Sequence, residues 1–159
     1  MLFRSLLKLV AKVDMVHVPY TGAAPAVNDL IAGHVDSMFA DAPVLLGAVQ
    51  GGKLRALAVG SKSRIRVLGD VKTTSELNWP AIEADNWYGI VAPAGLQPDV
   101  LATIHKNAVA ALNDATVKGK LEDQGFGVVA NSTQDFTAYV KYETERWRKV
   151  IADGKIKAN

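Results

Sequence analysis

Two short stretches of this sequence combine residue types suited to holding an anion. The first is Val18-Pro19-Tyr20-Thr21-Gly22-Ala23-Ala24-Pro25, and the second is Met38-Phe39-Ala40-Asp41-Ala42-Pro43. Each leads from a strand-like apolar segment into a helix-like segment with an early proline, a position where the missing N–H costs nothing because the first amides of a helix have no internal partner. Ligands of open parallel sheets bind beyond the carboxyl ends of the strands, where both stretches fall. Gly22, Ala23 and Ala24 are small enough to let a ligand reach backbone N–H groups, whose dipoles favour an anion such as a carboxylate. Asp41 can accept a bond from a ligand amine or hydroxyl, or simply cap the helix it precedes. Tyr20 can face a ligand from its strand end, or pack against the helix that follows.

Other chemistries lack their residues. Cysteine is absent, which removes disulfides, thiolate catalysis and cysteine-bound metals. His17, His34 and His105 are far apart and none has a histidine four residues away, so metal-ligand spacing is missing. No serine sits in a G-x-S-x-G elbow, and Gly51-Gly52 and Gly60 form neither a P-loop nor a dinucleotide fingerprint. Lys62, Arg64 and Arg66 read as a solvated edge, and Trp87 and Trp147 as core or interface residues. The expectation is a binding protein with no catalytic residue, no metal and no cofactor.

The elements that must position the two stretches follow from periodicity and punctuation. Leu2, Leu6, Leu9, Val10 and Val13 at helical spacing predict an amphipathic helix at the start. Lys8 and Lys12 interrupt that apolar stretch, which therefore reads as a helix rather than an export signal. Helices are predicted over 23–32, closed by Gly33, and over 42–50, closed by Gly51-Gly52. Strands are predicted at 15–19, 35–40 and 54–59, and alternation with helices implies crossover units, a largely parallel sheet and an α/β class. Residues 60–85 read as a surface connection holding one helical turn at 74–77. Beyond it come a strand at 86–92, helices over 98–113 and 115–124, a short strand at 127–130, and a long last helix capped by Ser132 and ended by Gly154.

With 159 residues, 49% hydrophobic and 21% charged, the chain is sized for a globular domain burying roughly two thirds of its unfolded surface. The net charge is +2, and residues 1–86 and 87–159 each carry 9 basic and 8 acidic side chains. That balance argues against a nucleic-acid partner, which a basic face would mark. No segment has the roughly 18 uncharged apolar residues of a membrane span.

The segment Val16-His17-Val18-Pro19-Tyr20-Thr21-Gly22-Ala23-Ala24-Pro25-Ala26, continued by Asp29 through Asp41, resembles the extracytoplasmic solute-binding receptors of tripartite tricarboxylate transporters, the Bug receptors. Gly52 to Val59, Trp87 to Gly95 and the closing Trp147 to Asn159 follow the same pattern in the same order. The resemblance implies a periplasmic binding protein fold of type II, two α/β lobes with mainly parallel sheets joined by hinge strands. Residues 1–86 would be the second, cleft-lining lobe, partial at its start, and 87–159 a hinge strand and the end of an incomplete first lobe. It also implies a periplasmic receptor, not an enzyme, that closes on a small carboxylated solute and presents it to the transporter's membrane subunits. Tyr20, Thr21, Gly22, Ala23, Ala24 and Asp41 would face the cleft.

Departures from the family pattern carry expectations of their own. A full receptor is about twice this long, so half the clamp is missing and weak or no solute binding is expected of these residues alone. Thr21 stands where a Lys or Gly is common, and Leu68-Gly69-Asp70-Val71-Lys72 lacks the usual prolines. The alternative is a non-enzymatic α/β module that dimerises or regulates, with self-association through the exposed, truncated lobe.

Overall fold

The structure, a computed structural model, describes residues 2–156. Six α-helices are present among them: α1 (Leu2–Ala11), α2 (Ala23–Ala32), α3 (Ala42–Gln50), α4 (Pro98–Asn113), α5 (Ala115–Asp123) and α6 (Thr133–Asp153). Two short 3-10 turns, Arg66–Leu68 and Pro80–Ile82, lie between α3 and α4.

Each helix ends where its sequence chemistry stops it. α1 stops at Ala11, two residues before the expected Val13. Lys12 turns left-handed (φ 53), and Lys8 Nζ donates to Asp14 Oδ1 at 2.9 Å and to the Met15 carbonyl at 3.0 Å. α2 closes on Gly33, whose φ of 77 suits a residue without Cβ, with the His34 N–H reaching the Asp29 carbonyl at 2.9 Å. Asp114 Oδ1 caps α5 by accepting from the amides of Thr116 and Val117. Ser132 Oγ caps α6 by accepting from the Asp135 amide at 3.0 Å, while its hydroxyl donates to Asp135 Oδ2 at 2.6 Å.

The strands expected at 15–19, 35–40, 54–59, 86–92 and 127–130 do not pair into a sheet. Among the described residues the only β-pairing is one parallel bridge between Val59 and Thr73, made by Val59 N–H to the Lys72 carbonyl and Thr74 N–H to the Val59 carbonyl. The expected mainly parallel sheets are thus corrected to separate segments without ladders. The reason lies in where the bonds come from: a helix closes its hydrogen bonds within one segment, whereas a strand needs a neighbour at every rung.

What holds the molecule together is helix packing around a small core. α1 packs against α6 and the Pro80–Ile82 turn, and α5 against Arg66–Leu68. Among the described residues, Leu6, Ala26, Val59, Ile82 and Val150 are the buried apolar ones. The 60–85 stretch is more than surface: Thr73, Thr74 and Ile82 are buried. A fork from Arg64 to Glu76, with Thr73 N–H donating to Glu76 Oε2 at 2.9 Å, fixes the turn at 73–79. Arg66 pairs with Asp123 at 2.6 Å, so two of the three cations read as a solvated edge take specific carboxylates while staying exposed.

The accessible surface is 11291 Å² for a 17.0 kDa chain. A closed monomer of that mass exposes about 7,700 Å², so roughly 3,500 Å² more than usual faces water. Against an extended chain this is about 55% burial, below the two thirds expected from length and composition.

Candidate functional site

The first anion-suited stretch forms the turn into α2. Tyr20 is half-buried and its hydroxyl donates to Asp29 Oδ2 at 2.7 Å, one turn and more down α2. Asp29 Oδ1 lies 3.3 Å from His34 Nδ1 at the far end of the same helix. The Tyr20 hydrogen bond holds the Asp29 carboxyl below its ordinary pKa and raises that of the phenol. The phenol proton of Tyr20 is thus committed to α2.

Thr21, Gly22, Ala23 and Ala24 are exposed. Gly22 occupies the N-cap with extended backbone (φ −177, ψ 175) and has no side chain to satisfy the amides that follow. The N-terminal N–H groups of α2 therefore point outward without a side-chain cap, an arrangement that favours negative charge.

Asp41 stands at the N-cap of α3, yet its carboxylate makes no capping bond. It reaches instead across the chain: Asn86 Nδ2 donates to Oδ1 at 2.5 Å and the Tyr88 hydroxyl to Oδ2 at 2.9 Å. The bond to Asp41 raises the Tyr88 pKa. The helix start is left to the backbone, with Val44 N–H on the Asp41 carbonyl at 3.0 Å and Pro43 needing no acceptor. Asp41 is the one sequence-singled residue that the structure ties to the 86–92 segment, and Asn86 and Tyr88 are partners that sequence reasoning passed over. Their signal was present as two polar groups flanking Trp87 in an otherwise apolar strand pattern.

The 86–92 segment is itself anchored on α6. Trp87 meets Phe136 and Tyr139 edge-on, with ring centroids 5.6 and 5.9 Å apart, and Tyr88 meets Phe126 at 5.7 Å. Gly89 lies under Phe136 so closely that a Cβ there would come within 2.2 Å of the ring's Cζ. Further along α6, the buried Glu143 accepts from Trp147 Nε1 at 2.8 Å and pairs with Arg146 at 3.3 Å. Arg146 also donates to the Glu83 carbonyl. This chain of contacts runs from Asp41 through Asn86 and Tyr88 to the last helix.

His17 is exposed, and desolvation together with the nearby Arg4 charge lowers its pKa. His105 bonds the Asn131 carbonyl at 3.0 Å, and no group of three His, Asp or Glu among the described residues is arranged to hold a metal. No helix among the described residues is long and apolar enough to cross a membrane.

The sequence profile of the family described as "Tripartite tricarboxylate transporter family receptor" matches residues 2–156. A protein of Pseudomonas sp. (strain P51), "UPF0065 protein in tcbD-tcbE intergenic region", is 33% identical over 98% of this chain and 46% of its own length. A second, from Pseudomonas knackmussii and described as "UPF0065 protein in clcB-clcD intergenic region", is 28% identical and is covered over 92% of its length. Among solved structures, R. palustris Rpa4515 with adipate superposes with a TM-score of 0.84 at 29% identity, over 98% of this chain and 52% of that one. MatC (Rpa3494) from Rhodopseudomonas palustris with bound malate gives 0.78 at 29% identity, over 94% and 52%. The chain thus spans about half the length of the strain P51 relative and of both solved structures, though nearly all of the P. knackmussii one.

Proposed function

The chain belongs to the tripartite tricarboxylate transporter receptor family, and from that premise we propose that it forms the solute-facing part of a periplasmic receptor for a small carboxylate. The observation that carries the reading is the family match over 2–156 joined to two solved relatives that hold the dicarboxylates adipate and malate. The uncapped start of α2 supports it. There the N–H groups behind Thr21, Gly22, Ala23 and Ala24 receive a solute carboxylate, while Tyr20, locked to Asp29, fixes the turn. Asp41 keeps a free lone pair on each oxygen beyond its bonds to Asn86 and Tyr88, and accepts from a solute hydroxyl or amine. Binding proceeds by closure of two lobes, the second formed by residues 1–86 and the first including 87–159, without covalent chemistry. The loaded receptor is then presented to the membrane subunits of the transporter.

The test is thermal denaturation of a receptor-length chimera, this chain joined to the half of Rpa4515 that it does not match. Adipate, malate and related dicarboxylates are expected to raise its Tm. Gly22→Val, which shields the amides of α2, is expected to weaken the tightest binder at least tenfold, since charge-assisted bonds contribute about 1.5–3 kcal/mol each. A flat response of the folded chimera across the panel sinks the proposal. Calorimetry on the 159-residue chain alone is expected to show weak binding or none.

A further inference from the structure

The contacts of residues 86–89 alternate. Trp87 and Gly89 turn to α6, where the Trp87 ring meets Phe136 and Tyr139 and Gly89 lies under Phe136. Asn86 and Tyr88 turn the other way, and both donate to the single carboxylate of Asp41, at 2.5 and 2.9 Å. A period of two is that of extended backbone, in which residues two apart share a side. Held against α6 by its rings on one side, the segment presents two donors at a fixed spacing on the other.

Tyr88 is located a second time. Its ring meets Phe126 edge-on at 5.7 Å, and the neighbouring Gly125 packs on the start of α3, where a Cβ added to it would come within 3.1 Å of the Ala42 Cβ. Asp41, Tyr88, Phe126, Gly125 and Ala42 thereby close a circuit of contacts at the N-terminus of α3. Within it the half-buried Asp41 carboxylate is drawn away from the cap: it accepts from no amide of α3, and the Val44 N–H goes to the Asp41 carbonyl at 3.0 Å. An aspartate at an N-cap ordinarily accepts from the amides two or three residues on, so the two donors from across the chain override the local preference.

The consequence follows from the chemistry of a carboxylate, which has about four lone-pair sites and no donor. Asn86 and Tyr88 occupy one site on each oxygen and leave one on each. Those sites accept a hydroxyl or an ammonium and repel a second carboxylate. We propose, on the footing of the carboxylate reading above, that Asn86 and Tyr88 are positioning residues: acting through Asp41, they set a preference for carboxylates that carry a hydroxyl or ammonium group over those that carry none. Asp41 is only half-buried, and Asn86 and Tyr88 are exposed, so the preference is about tenfold, well short of the roughly 10⁴-fold or more of a fully enclosed hydroxyl site.

Malate and succinate differ by one hydroxyl, and their affinities for the receptor-length chimera described above are the measurement. Malate is expected to bind about tenfold more tightly than succinate. Tyr88→Phe combined with Asn86→Ala removes both donors while keeping a ring on Phe126, and is expected to cost malate about tenfold more than succinate. Tyr88→Phe alone, the milder change, is expected to reduce the preference about threefold. A purely structural role would cost both solutes alike. In the 159-residue chain without solute, NMR titration of the Tyr88 ring is expected to place its phenol above the ordinary tyrosine value, and Asp41→Asn to return it toward that value. A Tyr88 phenol indifferent to Asp41→Asn, a malate affinity no greater than that of succinate, or a malate preference that survives both variants overturns the proposal and leaves the carboxylate reading standing. A folded wild-type chimera that binds no dicarboxylate overturns both.

Discussion

At the scale of single residues, the polar groups are committed more specifically than their positions in the sequence announce. Glu76 shows this best: a two-point fork from Arg64 and the Thr73 N–H hold its carboxyl down to about 2, from an ordinary 4.5. A carboxyl depressed in the folded state contributes stability above pH 4.5, and that contribution disappears as the pH falls from 4.5 toward 2. The pair is exposed, so the effect is small. Glu76→Gln is expected to lower the Tm at pH 7 by a few degrees and to narrow the gap from wild type as the pH drops through that window. A gap that stays constant from pH 7 to pH 2 would show that the fork contributes nothing to folding.

Asp41 shows the limit of reading residues singly. Its place before Ala42-Pro43 marks it as a helix cap, and it does occupy that position, but its oxygens are taken by Asn86 and Tyr88, 45 and 47 residues on. No local pattern encodes a contact of that span. Capping by Ser132 and closure by Gly33 depend only on neighbours, and both were legible.

The same contrast governs the elements. α2, α3 and α4 begin and end where Pro, Gly and apolar spacing place them, because every bond that defines them lies within a few residues. The five strand patterns were equally plain in the sequence, yet apart from the single bridge at Val59 they remain unpaired, since alternation specifies a surface and not the neighbour that must cover it. The 86–92 segment is held by its fit to α6 rather than by a sheet. Gly89 is the tightest point of that fit, and Gly89→Ala must displace the Phe136 ring. It is expected to destabilise by about 1–3 kcal/mol, as overpacked substitutions do. In urea denaturation the loss should be partly recovered by Phe136→Leu in the same chain, a non-additivity that contact requires. Additive losses would mean the segment and the helix do not bear on each other.

For the whole molecule, the governing feature is how much apolar surface stays in water. Among the described residues, five buried apolar side chains hold helices that would otherwise be marginal, while the aliphatic faces of the extended segments contribute little to burial. In the receptor proposed above, the turn at 20–24 and the cluster of Asp41, Asn86 and Tyr88 are the groups offered to the solute, and the described contacts hold both in place.

The surface left in water also sets how this chain must melt. Unfolding can expose only what folding has hidden, and here that amount is about one fifth less than for a closed protein of the same mass. Both the urea m-value and the heat-capacity increment of unfolding scale with newly exposed area, so each should fall short of the norm for this length by a similar fraction. The transition is expected to be broad in denaturant and the stability curve flat in temperature. Values at the norm for the isolated chain in dilute solution would mean that this surface is already buried there.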